Sequence, residues 1–219
     1  MIKTLRTIFK QDKEKFRIPR SVQQVIPIQA VWADGVFQVG RNKFTRTYKF
    51  MDINYAVASR EDQEAMFLEY SELLNSFDSG ATTKITINNR RLNRQDFEKA
   101  ILIPMREDGL DVYREEYNKM LLEKATGSNR MVQEKYVTVS VYKKTVEEAR
   151  SYFARVGTDL MGHFARLGSK CVELDATERL RALHDFYRAG EETVFFFDLP
   201  QAMKKGHSFK DFILSLIHI

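Results

Sequence analysis

His163, His184, His207 and His218 are the chain's candidates for a general base or a metal ligand, and Cys171 is its one thiol. No two of the histidines stand at the HExxH spacing that sets two imidazoles on one helix face around zinc. Cys171 has no second cysteine and no nearby histidine with which to form a ligand pair. His163 follows Gly162 and His184 precedes Asp185, so either could take a proton if a cleft exposed it; a histidine satisfied within its helix is the simpler assignment. Glu115 and Glu116 adjoin, but neighbours on a helix point about 100° apart and cannot face one substrate together. A phosphate cradle of the form GxxxxGK[ST] is missing. Met203-Lys204-Lys205-Gly206-His207-Ser208 lacks both the first glycine and the Gly-Lys order, and Gly157, Gly162 and Gly168 lie in a helical pattern or at its end, not after a strand. The sequence therefore assigns no catalytic, cofactor-binding or metal-ligating residue. An enzyme of another type would need a pocket that brings His163 or Cys171 to a carboxylate.

Charge is the other chemical signal. Lys and Arg number 35 against 30 Asp and Glu, a formal +5. Residues 1–20 hold Lys3, Arg6, Lys10, Lys13, Lys15, Arg17 and Arg20 against Asp12 and Glu14, so this arm alone accounts for the excess. Ile2, Leu5, Ile8 and Phe9 recur there at helical spacing. The arm is either a short amphipathic helix on an anionic membrane surface or a solvated terminus that packs on a partner, and Lys3, Arg6, Lys10, Lys13, Arg17 and Arg20 are its contact residues. Arg90, Arg91 and Arg94 form the most basic loop of the body, a contact for a partner or for phosphate. An alternative reading, a nucleic-acid-binding accessory protein of a mobile element, would use Arg41, Lys43, Arg46, Arg90, Arg91 and Arg94 on one uninterrupted face. Trp32, Phe37, Phe44, Tyr48 and Phe50 would then be a stacking platform; strand alternation with one buried face explains those aromatics more simply.

The elements that must position these residues follow from periodicity. Ile28–Trp32, Val36–Val39 and Phe44–Phe50, separated by Ala33-Asp34-Gly35 and Gly40-Arg41-Asn42, read as an antiparallel meander. Ser59 caps a helix of about 18 residues whose stripe is Phe67, Tyr70, Leu74 and Phe77. Thr82–Asn88 alternates as a strand. Leu110, Tyr113, Tyr117, Met120 and Leu121 mark a second helix, and Val132–Tyr142 is the clearest strand. Thr145 then caps a long helix carrying Val146, Ala149, Phe153, Val156, Leu160, Phe164 and Leu167, which stops at Gly168. Cys171–Leu174 reads as a short strand with a buried thiol. Thr177–Tyr187 follows as a helix with Leu180, Leu183 and Phe186 inward.

The expected fold is α+β: a mixed sheet of split β-α-β flavour covered by helices on one face, preceded by a small meander. Its expected parts are the arm at 1–20, a meander subdomain at 21–58, an α+β domain at 59–200 and a tail at 201–219. The tail's apolar Leu214-Ser215-Leu216-Ile217-His218-Ile219 suggests a truncated or frame-disrupted end. No apolar run approaches the eighteen or so residues needed to span a bilayer, and the start lacks a signal peptide's apolar stretch, so a cytoplasmic location, at most peripheral to the membrane, is expected.

Three stretches carry a family likeness. Arg17-Ile18-Pro19-Arg20-Ser21-Val22-Gln23-Gln24, the meander with Phe50-Met51-Asp52-Ile53-Asn54-Tyr55, and Val137-Thr138-Val139-Ser140-Val141 before the Glu147/Glu148 helix resemble the N-terminal region of VirB4-like (TraE-type) ATPases of Gram-positive conjugative elements. The likeness runs through residues 1–213. It implies an amino-terminal module of a type IV secretion motor that docks at the cytoplasmic face of the membrane, contacts channel components and sibling subunits, and precedes a RecA-like domain. ATP and Mg²⁺ are implied for that following domain alone. The chain holds no Walker A, Walker B or arginine-finger element, so no catalytic residue carries over.

Overall fold

A computed structural model describes residues 18–91, 102–127, 131–190, 195–204 and 208–214. In chain order the elements are α1 (Val22–Val25), β1 (Ala30–Val31), β2 (Phe37–Gly40), β3 (Lys43–Phe50), a 3₁₀ turn (Tyr55–Val57), α2 (Arg60–Asn75), β4 (Thr82–Arg91), α3 (Asp111–Gly127), β5 (Met131–Tyr142), α4 (Val146–Arg166), β6 (Cys171–Glu173), α5 (Ala176–Tyr187), α6 (Leu199–Ala202) and α7 (Phe209–Leu214). The fold is α+β. The sheet runs β1-β2-β3-β5-β4, with β6 sharing the β2 edge of β3, and every pairing is antiparallel. The expected mixed sheet is corrected on this point: each helical excursion returns the chain beside an oppositely directed strand. β3 of the meander pairs with β5 from Lys43↔Tyr142 to Phe50↔Lys135 and so sits in the middle of the sheet.

Alternation divides the sheet into two faces. Phe44, Tyr48, Val137, Val139 and Val141 point to one face and are buried beneath α4, whose Ala149, Phe153, Val156, Leu160 and Phe164 supply the other half of the core. Each such side chain contributes roughly 1.5–3 kcal/mol by leaving water. Thr145 Oγ1 caps α4 by accepting the Glu148 N–H at 3.2 Å, and Leu167 closes the stripe. Gly157 stands where α4 crosses β3 most closely. A Cβ there would lie 2.5 Å from Glu173 Oε1 and 3.0 Å from the Tyr48 hydroxyl, which itself donates to Phe153 O at 3.2 Å.

Helices cover the second face as well, which corrects the expectation of one covered face. Phe37, Ile26 and Ile28 pack there with Ala176 and Leu180 of α5 and Ile213 of α7. Asp175 starts α5 with a reciprocal capping box to Glu178. The turn before β2 meets this helix tightly: Gly35 has φ +82°, and a Cβ would fall 2.0 Å from Leu174 O. Arg179 of α5 is buried between α5 and the sheet, donating to Gly35 O (2.6 Å), Thr45 O (2.9 Å) and Thr45 Oγ1 (3.0 Å), with its guanidinium 3.8 Å from the Phe37 ring centre. Burial depresses its pKa. Phe186, expected inward, is exposed. The expected tail also supplies core, since Phe212 and Ile213 are buried.

α2 begins as expected, with Ser59 Oγ accepting the Asp62 N–H at 3.1 Å, but its inward stripe is Met66, Leu73 and the following Phe77. Phe67, Tyr70 and Leu74 face outward. α3 is also less buried than its periodicity suggested: Leu110, Tyr113, Tyr117 and Met120 are exposed. It organises its own leading loop instead. Asn118, buried, donates to Ile103 O and accepts the Ile103 N–H, both at 2.9 Å, while Asp111 accepts the N–H groups of Arg106 and Glu107. Among the described residues no helix is long and apolar enough to cross a membrane.

Candidate functional site

Among the described residues, His163, His184 and Cys171 each have a definite place. His163 faces α2, where Nδ1 lies 2.7 Å from Glu69 Oε1 and 2.6 Å from Arg166 Nη2, and Arg166 Nε donates to the same Glu69 oxygen at 2.8 Å. The bonds from His163 and then Arg166 hold the Glu69 carboxyl below the ordinary carboxylate range, against the opposing effect of desolvation. Glu69, Glu72 and His163 bring three ligand-type atoms within 4.8 Å of one another. The Arg166 guanidinium already occupies the electrostatic position of a cation at Glu69, so the arrangement is an ion pair between α2 and α4. Sequence reasoning missed it because Glu69 and His163 belong to separate helices.

His184 is a core histidine: it is 2% exposed, Nδ1 lies 3.3 Å from Asp185 Oδ1, and its ring packs on Phe195. Cys171 is half-buried rather than fully buried, and burial together with the Glu173 carboxylate pushes its thiol up to about 12. It is therefore a thiol, not a nucleophilic thiolate, at neutral pH. Glu115 and Glu116 are exposed on α3. His207 and His218 lie outside the described residues.

The basic groups divide similarly. Lys3, Arg6, Lys10, Lys13 and Arg17 lie outside the described residues; Arg20 is exposed, and its backbone N–H donates to Gln24 Oε1 at 2.8 Å. Arg90 and Arg91 occupy the last positions of β4, in register with Val132 and Met131, and Arg94 lies outside the described residues. The uninterrupted basic face that a nucleic-acid reading needs does not form among the described residues. Lys43 lies over the Tyr142 ring on one face of β3, while Arg46 points to the other and is bound to Glu173 at 2.6 Å. The aromatic platform is likewise spent on core, with Phe37, Phe44 and Tyr48 buried. Gly157 and Gly162 are inside α4, and Gly157 is packed against Tyr48 and Glu173.

Part of the solvent-exposed surface is apolar. Between α2 and β4 runs a groove with a cavity of about 190 Å³, lined by Phe50, Tyr70, Leu74, Phe77, Ile85 and Leu167. Ile85 and Ile87 of β4 are 47% and 56% exposed although they point to the face that α4 covers elsewhere. Phe67 and Leu68 of α2 and Val57 of the 3₁₀ turn are also exposed. Apolar side chains grouped around a cleft are suited to holding an apolar ligand or another chain. No family model matches the sequence, and no curated protein matches it.

Proposed function

We propose that the chain is the N-terminal assembly and docking module of a VirB4-like ATPase of a Gram-positive conjugation apparatus. The observation that carries this reading is the apolar groove between α2 and β4, left open in a fold that consumes His163, Arg46 and Arg179 in internal bonds. The sequence likeness around Arg17–Gln24, Phe50–Tyr55 and Val137–Val141 supports the family. On this reading the partners are channel components and sibling subunits, the location is cytoplasmic, and the basic arm at 1–20 rests on the inner face of the membrane. Hydrolysis belongs to the RecA-like domain of the full-length relative, where ATP and Mg²⁺ act.

The test is interference. The chain is expressed in donor cells that carry an intact conjugative element of this type, and transfer frequency is counted. Competition for the motor's docking positions lowers transfer, and Leu74→Glu with Ile85→Glu, which place charge in the groove, restore it. Undiminished transfer in the presence of abundant folded chain overturns the reading.

A further inference from the structure

We propose that the outer edge of β4 is a strand-addition site for an extended segment of a partner protein that alternates apolar and acidic side chains. The inference rests on the docking reading above and names the chemistry of one occupant.

β4 ends the sheet. Its inner edge pairs with β5 along all of Thr82–Arg91, and among the described residues its outer backbone groups have no backbone partner. Ten residues is long for an open edge, and sheets ordinarily blunt such edges because unpaired N–H and C=O groups template another strand. The two faces of β4 then dictate what the added strand carries. On one face Ile85, which lines the 190 Å³ cavity, and Ile87 stand exposed, so every second side chain of the guest, lying on that face, is apolar. On the other face stand Lys84, in register with Thr138, and Asn88, in register with Glu134. Lys84 is exposed with no ion-pair partner among the described residues, and Asn88 Nδ2 is a buried donor with no hydrogen-bond partner there. Lys84, open to solvent, calls for a carboxylate on the guest.

Charge also chooses between a foreign strand and a second copy. β4 contains Lys84, Arg90 and Arg91 and no acidic residue. Pairing two copies edge to edge would gather twice those cations on one ladder without an anion, whereas an acidic strand neutralises them. Contacts between sibling subunits therefore fall elsewhere on the molecule.

The probe is a blocked ten-residue peptide alternating valine and glutamate, titrated against the whole chain, with amide hydrogen exchange followed in β4. Saturable binding that slows exchange across β4 is expected. Replacing glutamate by lysine, or N-methylating alternate peptide bonds, weakens it by about tenfold or more, since either change removes charge pairing or ladder bonds. Lys84→Glu, at an exposed position, reverses the preference toward the lysine peptide. Equal binding of the two peptides, undiminished binding of the N-methylated one, or no binding at all overturns the inference. So does a concentration-dependent dimer that protects β4 without peptide. If the peptide fails while interference with transfer persists, the docking reading stands and the strand-addition inference falls.

Discussion

Arg179 is the residue whose replacement tests the architecture most sharply. Its guanidinium is buried, bonds three oxygens of the Gly35 turn and β3, and stacks on Phe37, yet no carboxylate is among those partners. Bonds from a charged donor contribute roughly 1.5–3 kcal/mol each, and a desolvated cation–π contact about 2 kcal/mol. Against this, burying the cation costs several kcal/mol, which its removal returns. Arg179→Ala thus loses roughly 2–4 kcal/mol net, because it also leaves a void under Phe37. Arg179→Met fills that space and loses about half as much. Arg179→Lys keeps a charge whose pKa burial depresses below the unfolded lysine value of about 10.4. Its unfolded form then binds more protons than the folded one over that window, so this variant gains stability as pH rises toward 10 or so. Urea unfolding of the three variants at several pH values measures all of this. An Ala variant as stable as the wild type would refute the claim that the guanidinium ties α5 to the sheet.

Other substitutions probe the remaining joints. Gly157→Val drives side-chain atoms into Glu173 and Tyr48 and destabilises by about 1–3 kcal/mol; a gain, as helix propensity alone would give, contradicts the close crossing of α4 over β3. Asn118→Ala releases the loop before α3, so the Ile103 amide exchanges faster while the core amides of β5 keep their protection. The Glu69 carboxyl is held low by His163 and Arg166. At Asp34, burial acts upward but is outweighed by the bond from Arg150 at 2.6 Å and by the Val36 N–H. Both folded values lie below the unfolded ones, so their stabilisation is complete above the ordinary carboxylate range and is lost as pH falls through the depressed folded values. Glu69→Gln with Asp34→Asn flattens that acid limb in unfolding curves; an unchanged slope removes these pairs from the account.

α4 was legible because one stripe, one threonine cap and one terminal glycine all agreed. β5 was legible for a similar reason, its valines alternating cleanly. The helix at 60–75 carries two apolar stripes a single residue apart, and the packing of Leu73 beside the Glu69–His163 pair selects one, a choice made by a distant helix. Arg179 reads in sequence as a wetted helical cation. Its burial depends on Gly35 and Thr45 arriving from another part of the chain, and the same packing turns Phe186 outward. The groove was illegible for the converse reason: Phe67, Tyr70 and Leu74 were read as core, since hydrophobicity marks what can be buried without saying by what. Residues 1–17 of the arm and Arg94 lie outside the described residues, so their assignments rest on sequence.

On the proposed function, the α2–β4 groove receives a component of the conjugation machine. Photo-crosslinking residues placed at Leu74 and Ile85, with Ser151 on the wet side of α4 as control, test it in donor cells. Discrete crosslinks from the two groove positions to a protein of the conjugation apparatus are expected, and none from Ser151. Crosslinks equal at all three positions, or to nucleic acid alone, would contradict it.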